Sequence, residues 1–189
     1  HSREHDTKTV TVFCIRRGER TEAEEVADIA YAMRHVAALV PRLRLIVVGR
    51  GADEVARDLL LAALAGANVD LRVMGLLPEA EISRLLIAAD ALLFIRGEIS
   101  GGRSSAIAAI ACGLPVVAYA GRPTGHPITE AGVVLVTLGD RSAVATGLAK
   151  VLTDETLWSS LHHRNREALR RYFSWDAIAD RYSAALTGR

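Results

Sequence analysis

Residues 91–119 read ALLFIRGEISGGRSSAIAAIACGLPVVAY. The apolar run 91–95 passes into a polar loop with adjacent glycines, then a stretch of small apolar residues up to Gly113, then a second apolar run from Pro115. Both flanking runs are continuously apolar, not alternating, which is the pattern of strands covered on both faces of a parallel sheet. The stretch between them predicts a short, very apolar helix, with Ser104 as its N-cap and Gly113 at its end. A strand, a helix and a second strand in this order make a right-handed parallel crossover.

The same alternation extends in both directions. Strands are expected at 10–15, 43–48, 70–75, 91–95, 115–119 and 133–137. Between the first two, Val26, Ile29, Met33, Val36, Ala37 and Val40 recur with helical period. Thr21 and Glu24 have the form of a capping box, and Pro41 is the expected stop. Val55, Leu59 and Ala63 predict the buried stripe of a second helix ending near Gly66, and Ile82, Leu85, Leu86 and Ala89 that of a third. Asp140, Asp154 and Ser174 each precede a further helical pattern. Strands and helices alternating over short loops imply a single α/β domain, with a six-stranded parallel sheet and helices on both faces. Right-handed crossovers give the Rossmann-like order 3-2-1-4-5-6. The domain is expected over 10–189, with residues 1–9 a linker or an expression remnant.

Composition narrows the function. Half of the 189 residues are hydrophobic, enough for one packed core, and intrinsic disorder is excluded. The 23 basic and 22 acidic residues leave a net charge of +1, with no block of like charge, so no nucleic-acid footprint is present. No apolar run approaches the ~18 residues of a membrane span and no signal peptide opens the sequence, so a cytoplasmic location is expected. Cys14 and Cys112 lie far apart in apolar segments, without metal-ligand spacing, and read as buried thiols.

In a sheet of this order a ligand sits beyond the carboxyl ends of the first and fourth strands, where strand order reverses. The fourth-strand loop carries Glu98, Ser100, Gly101, Gly102, Arg103, Ser104 and Ser105. Paired glycines let the backbone approach a bulky ligand, and the following helix start offers unpaired amides at the positive end of its dipole. Two hydroxyls and a guanidinium fork complete a cradle suited to a phosphate or diphosphate. Across the crevice, Arg16, Arg17 and Arg20 surround Gly18. Gly49, Gly51, Leu76 and Leu77 follow the second and third strands, where they form tight turns or a base pocket. The Gly49–Gly51 pair follows the second strand and lacks a third glycine at the right spacing, which argues against a nicotinamide dehydrogenase. His162 and His163 fit a solvated helix face, and His126 a surface loop at the crevice rim. No Walker loop, zinc spacing or Ser-His-Asp order occurs.

These residues also carry a family resemblance. Gly49-Arg50-Gly51, Gly75, Ala89-Asp90, the run Ala109-Ile110-Ala111-Cys112-Gly113-Leu114-Pro115-Val116-Val117, Gly132 and Phe173-Ser174-Trp175 occur in series. From Val10 to Leu186 the chain resembles the C-terminal half of retaining GT-B glycosyltransferases of the group 1, or family 4, type. The resemblance implies a half that binds a nucleotide-diphosphate sugar, paired with a separate N-terminal acceptor-binding domain. It assigns the diphosphate to Arg16, Arg20, Gly101, Gly102, Arg103, Ser104 and Ser105. The donor sugar falls to Glu98 and Ser100, and the nucleoside to Gly49, Leu76 and Leu77. It implies no metal and no cofactor besides the substrate, since arginines and helix amides carry the charge. Against the family's two loop glutamates spaced by seven residues, this chain has Ala108 at the second and Ser100 at the first, with Glu98 two residues early. Those departures leave open a degenerate domain of the same fold, acting as a non-catalytic binding or interaction module.

Overall fold

The computed structural model describes residues 7–13 and 21–187. Six parallel strands form one sheet in the order β3-β2-β1-β4-β5-β6, as expected. They are β1 (Lys8–Phe13), β2 (Leu43–Val48), β3 (Val69–Gly75), β4 (Ala91–Glu98), β5 (Val116–Ala120) and β6 (Val133–Thr137). The helices are α1 (Glu22–Ala37), α2 (Glu54–Ala63), α3 (Glu79–Ala88), α4 (Ser104–Ala111), α5 (Arg141–Thr153), α6 (Glu155–Ala168) and α7 (Trp175–Thr187). A 3₁₀ turn, Ile128–Glu130, precedes β6, and a π-helical turn, Leu169–Phe173, joins α6 to α7.

Period-2 geometry divides the strand side chains between two apolar clusters, one on each face. Val10, Leu45, Val47, Leu93, Val117 and Tyr119 pack with α1, α2 and α5. Leu92, Phe94, Val116, Ala118 and Val133 pack with α4, Leu86 of α3 and Ala168 of α6. The central strands are thus buried on both faces, which is why their runs are continuously apolar. The edge strand β3 alternates instead, and its outward Asp70 pairs with Arg44 at 2.7 Å and Arg72 at 3.3 Å. Charge on an exposed edge discourages pairing with another chain.

Caps set the helix starts. Thr21 and Glu24 form the reciprocal capping box, and Asp53, Asp140 and Asp154 each accept an amide bond from the first turn of the next helix. Several expectations shift. β1 begins at Lys8, two residues early, while 14–15 lie outside the described residues. α1 ends at Ala37 instead of running up to Pro41. In α2 the buried positions are Ala56 and Leu60, continued by Ala52 and Leu64, whereas Val55 and Leu59 are exposed. Both phases are apolar, so periodicity alone could not choose between them; packing against α1 and β3 did.

Candidate functional site

The carboxyl edge of the sheet opens between β1 and β4. These strands pair at Val10↔Ala91 and Thr11↔Leu92. Beyond that, Val12 and Phe13 on one side and Leu93, Phe94, Ile95 and Arg96 on the other line a narrow crevice with Glu25 and Ile29 of α1. This is the point at which strand order reverses, the place where such sheets bind ligands.

On the other side of β4 the ladder is interrupted. Phe94 faces Ala118, yet the next partners are Glu98 and Tyr119, so Ile95, Arg96 and Gly97 form a bulge. Gly97 takes φ of +134°, a region closed to most side chains. The bulge carries β4 to Glu98, three residues past the apolar run that set its expected end at Ile95. Bulges re-aim side chains next to functional sites, and this one presents Arg96 to the crevice. The Arg96 guanidinium lies over the Phe94 ring at 5.4 Å, and its buried Nε has no hydrogen-bond partner. In the sequence Arg96 opens the polar loop expected to face the ligand but is given no contact of its own; a guanidinium closing an otherwise apolar strand was the available signal.

The glycine loop follows. Gly101, Gly102 and Ser104 are exposed, while Glu98, Ser100, Arg103 and Ser105 are half-buried. The N-cap of α4 is Arg103 and not Ser104, and no side chain caps the helix. Ser104 instead occupies the first helical position, so its hydroxyl does not close the turn. The first amides bonded within the helix, those of Ala106 and Ile107, both reach the Arg103 carbonyl at 3.0 Å. The start of α4 therefore presents main-chain donors without a capping oxygen, at the positive end of the helix dipole. The buried Ser105 Oγ also has no hydrogen-bond partner.

The loop is held from the β5 side. Thr124 Oγ1 donates to the Ile99 carbonyl at 2.7 Å and accepts from the Gly121 amide at 3.0 Å. Glu98 lies against Gly121 so closely that any side chain at 121 would collide with it. Nothing in the sequence pattern marked Thr124, because its bond to Ile99 joins segments 25 residues apart.

Gly49, Leu76 and Leu77 lie along the same edge, at the ends of β2 and β3. Gly49 and Gly75 both have positive φ, and the Gly49 amide donates to the Gly75 carbonyl at 2.6 Å, clasping the ends of β2 and β3. Just past them Leu76 is 74% exposed and Leu77 half-buried, an apolar ledge at the edge of the sheet. Three strand spacings separate this ledge from the β4 loop, about 14 Å along the edge. Arg16, Arg17, Arg20 and Cys14 lie outside the described residues. His126 is exposed, bonds Glu130 Oε1 at 2.7 Å and meets the Tyr172 ring edge-on at 4.6 Å. His162 departs from the expected solvated face: its Nδ1 is 2.7 Å from the Gly113 carbonyl and its ring stacks on Trp158 at 5.0 Å. Cys112 is a half-buried free thiol whose pKa is pushed up by desolvation. Among the described residues no cluster of three His, Cys, Asp or Glu could hold a metal ion, and no helix is long and apolar enough to cross a membrane.

The family described as "Glycosyl transferases group 1" matches residues 9–154. None of the curated proteins matches the sequence. Among solved structures, WaaG, a glycosyltransferase involved in lipopolysaccharide biosynthesis, superposes with a TM-score of 0.70 at 18% identity, over 98% of this chain and 48% of that one. HepE from Anabaena, in complex with UDP and glucose, gives 0.68 at 19% identity, over 97% of this chain and 49% of its own. The C-terminal domain of the group 1 family protein LpcC from Francisella tularensis gives 0.67 at 15% identity, over 89% of this chain and 87% of that domain. The chain spans about half the length of WaaG and HepE. At these identities the likeness establishes the fold.

Proposed function

The chain belongs to the glycosyl transferases group 1 family, and from that premise we propose that it is the donor-binding half of a glycosyltransferase that takes a nucleotide-diphosphate sugar. The reading rests above all on the start of α4, an eight-residue helix with no capping side chain that follows β4, one of the two strands at the switch point. Main-chain donors there suit a diphosphate and keep their geometry whatever sugar is attached. Gly101 and Gly102 admit the phosphates, and Arg103, Ser104 and Ser105 surround them. Arg16 and Arg20 are assigned to the opposite wall. The nucleoside lies toward Gly49, Leu76 and Leu77, where the exposed leucine offers an apolar surface to a base. Glu98 and Ser100 are assigned to the sugar hydroxyls.

In the transfer, the anomeric carbon exchanges its bond to the diphosphate oxygen for one to an acceptor hydroxyl oxygen. The hydroxyl proton passes to the departing diphosphate, and negative charge builds on the phosphate oxygens before that proton arrives. Helix amides and guanidinium groups stabilise that charge most when it is fully developed, which is the condition for accelerating the step. No metal is required in this scheme. The acceptor is bound by a separate N-terminal domain, in keeping with the half-length span against WaaG and HepE. Alone, this half binds donor without turnover.

Calorimetric titration with UDP, GDP, ADP and their glucose conjugates tests the reading. One of the three series is expected to bind, and silence from all of them overturns it. Ala108 favours a second reading, a non-catalytic binding module. It is half-buried on α4 against the apolar cluster and provides no hydrogen-bonding group. Ala108→Glu separates the two: a gain in nucleotide affinity means the pocket is otherwise formed, and no gain favours the module.

A further inference from the structure

Arg96 is the one cation among the described residues that line the crevice between β1 and β4. Its neighbours there are Val12, Phe13, Ile29, Leu93, Phe94 and Ile95, which are apolar, and Glu25, which has interactions of its own. The guanidinium stacks over Phe94, an arrangement that orients the fork without using any of its N–H donors. No carboxylate pairs with it among the described residues, and its Nε–H is buried without an acceptor. A buried donor left open in this way is costly, and folded proteins rarely keep one unless a ligand or water completes it. The bulge at Ile95–Gly97 is what brings this side chain out of the ladder and to the crevice.

We infer that Arg96 binds an oxyanion, phosphate or carboxylate, of the ligand that enters this crevice, an inference that rests on the donor-binding reading above. A guanidinium presents two parallel donors that match the paired oxygens of such a group, whereas a neutral sugar hydroxyl offers one acceptor oxygen and no charge. Two parts of a donor could supply the oxyanion: the diphosphate itself, or a carboxylate on the transferred sugar.

The test is calorimetry at low ionic strength on the full chain and on Arg96→Gln, Arg96→Lys and Arg57→Gln. Arg57 is an exposed arginine on α2 that controls for net charge. The probes are inorganic pyrophosphate, UDP, UDP-glucose and UDP-glucuronate, with the guanosine and adenosine counterparts if the uridine series is silent. Loss of one charge-assisted bidentate contact corresponds to a fall of about tenfold or more in affinity. If the diphosphate is the partner, Arg96→Gln weakens pyrophosphate and every nucleotide alike. If the sugar carboxylate is the partner, only the glucuronate conjugate weakens. Arg57→Gln changes affinity less than about twofold in either case. Arg96→Lys keeps the charge and recovers part of the loss, whereas a residue needed only for packing on Phe94 shows no such recovery. Should the glutamine variant fail to fold, the lysine variant still decides, because it loses the fork and so binds measurably weaker than the parent. Parent-like binding of every probe by both variants overturns the inference and leaves the donor-binding reading standing. Silence from the unmodified chain toward all probes overturns both.

Discussion

Two regions at opposite ends of α4 treat their polar groups in contrary ways. At its C-terminal end, α6 closes nearly everything that the turn into β5 leaves open. Asn165, fully buried, donates to the Leu114 carbonyl at 2.7 Å and accepts from the Gly132 amide at 2.7 Å. His162 meets the Gly113 carbonyl, Trp158 Nε1 donates to the Asp90 carbonyl at 2.8 Å, and Arg164 reaches the carbonyls of Thr129 and Glu130. Glycine is required at 113 and 132, because a Cβ at 113 would come within 2.5 Å of the His162 ring and one at 132 would overlap the Leu161 carbonyl. At the N-terminal end the helix has no capping side chain, Ser105 Oγ and Arg96 Nε are buried without partners, and the strand ladder is bulged. A satisfied seam contributes stability, whereas an unsatisfied one gives up some stability and keeps donors available for a ligand.

The largest effect is expected where the seam is most completely closed. Asn165→Ala orphans a buried amide and a buried carbonyl and should cost about 3 kcal/mol, or ~6–12 °C in melting temperature. Nucleotide affinity of the folded fraction should not change; a variant that loses affinity without losing stability would erase the contrast between the two ends. His162→Ala removes one hydrogen bond and a stacked ring and should cost about 1–2 kcal/mol by chemical denaturation.

The open end should respond in the opposite sense. Arg103→Ala is expected to lower affinity for whichever nucleoside diphosphate binds about tenfold, while binding of the bare nucleoside and melting temperature stay nearly constant. An equal loss for the bare nucleoside would move Arg103 away from the phosphates. The smallest effect is that of pH. The Tyr172 hydroxyl, then His126, hold the Glu130 carboxyl below its ordinary value of 4.5, with Arg171 adding to the shift. A depressed carboxylate contributes stability that is fully present above its ordinary value and lost as pH falls through the depressed one. Glu130→Gln should therefore flatten the acid limb of the melting curve slightly, since the group is exposed and screened. A parent-like acid limb would show that this surface cluster carries no linkage.

Much of the architecture was legible before the structure. Apolar runs of strand length marked six strands, and caps such as Thr21, Asp140 and Asp154 placed helix starts, because these signals are local and strong. The misplacements fall where local signals tie. Val55 and Ala56 offered equally apolar phases, and Ser104 was as good a capping residue on paper as any. β4 ran past its apolar stretch because Glu98 pairs with Tyr119 after a bulge that no periodicity records. For the site, the glycine loop and its serines were visible as composition, but the open state of Ser105 and Arg96 was not. A partner's absence depends on every neighbour in space.

The sequence by itself determined the parallel α/β order, the position of the crevice and the family resemblance, since hydrophobic period, caps and crossover handedness leave few alternatives. Only the tertiary structure decided which donors near that crevice are closed by neighbours and which stay open. Hydrogen-bond satisfaction is a property of groups brought together from distant parts of the chain, as Gly132 and Asn165 are, and no local window of sequence contains both.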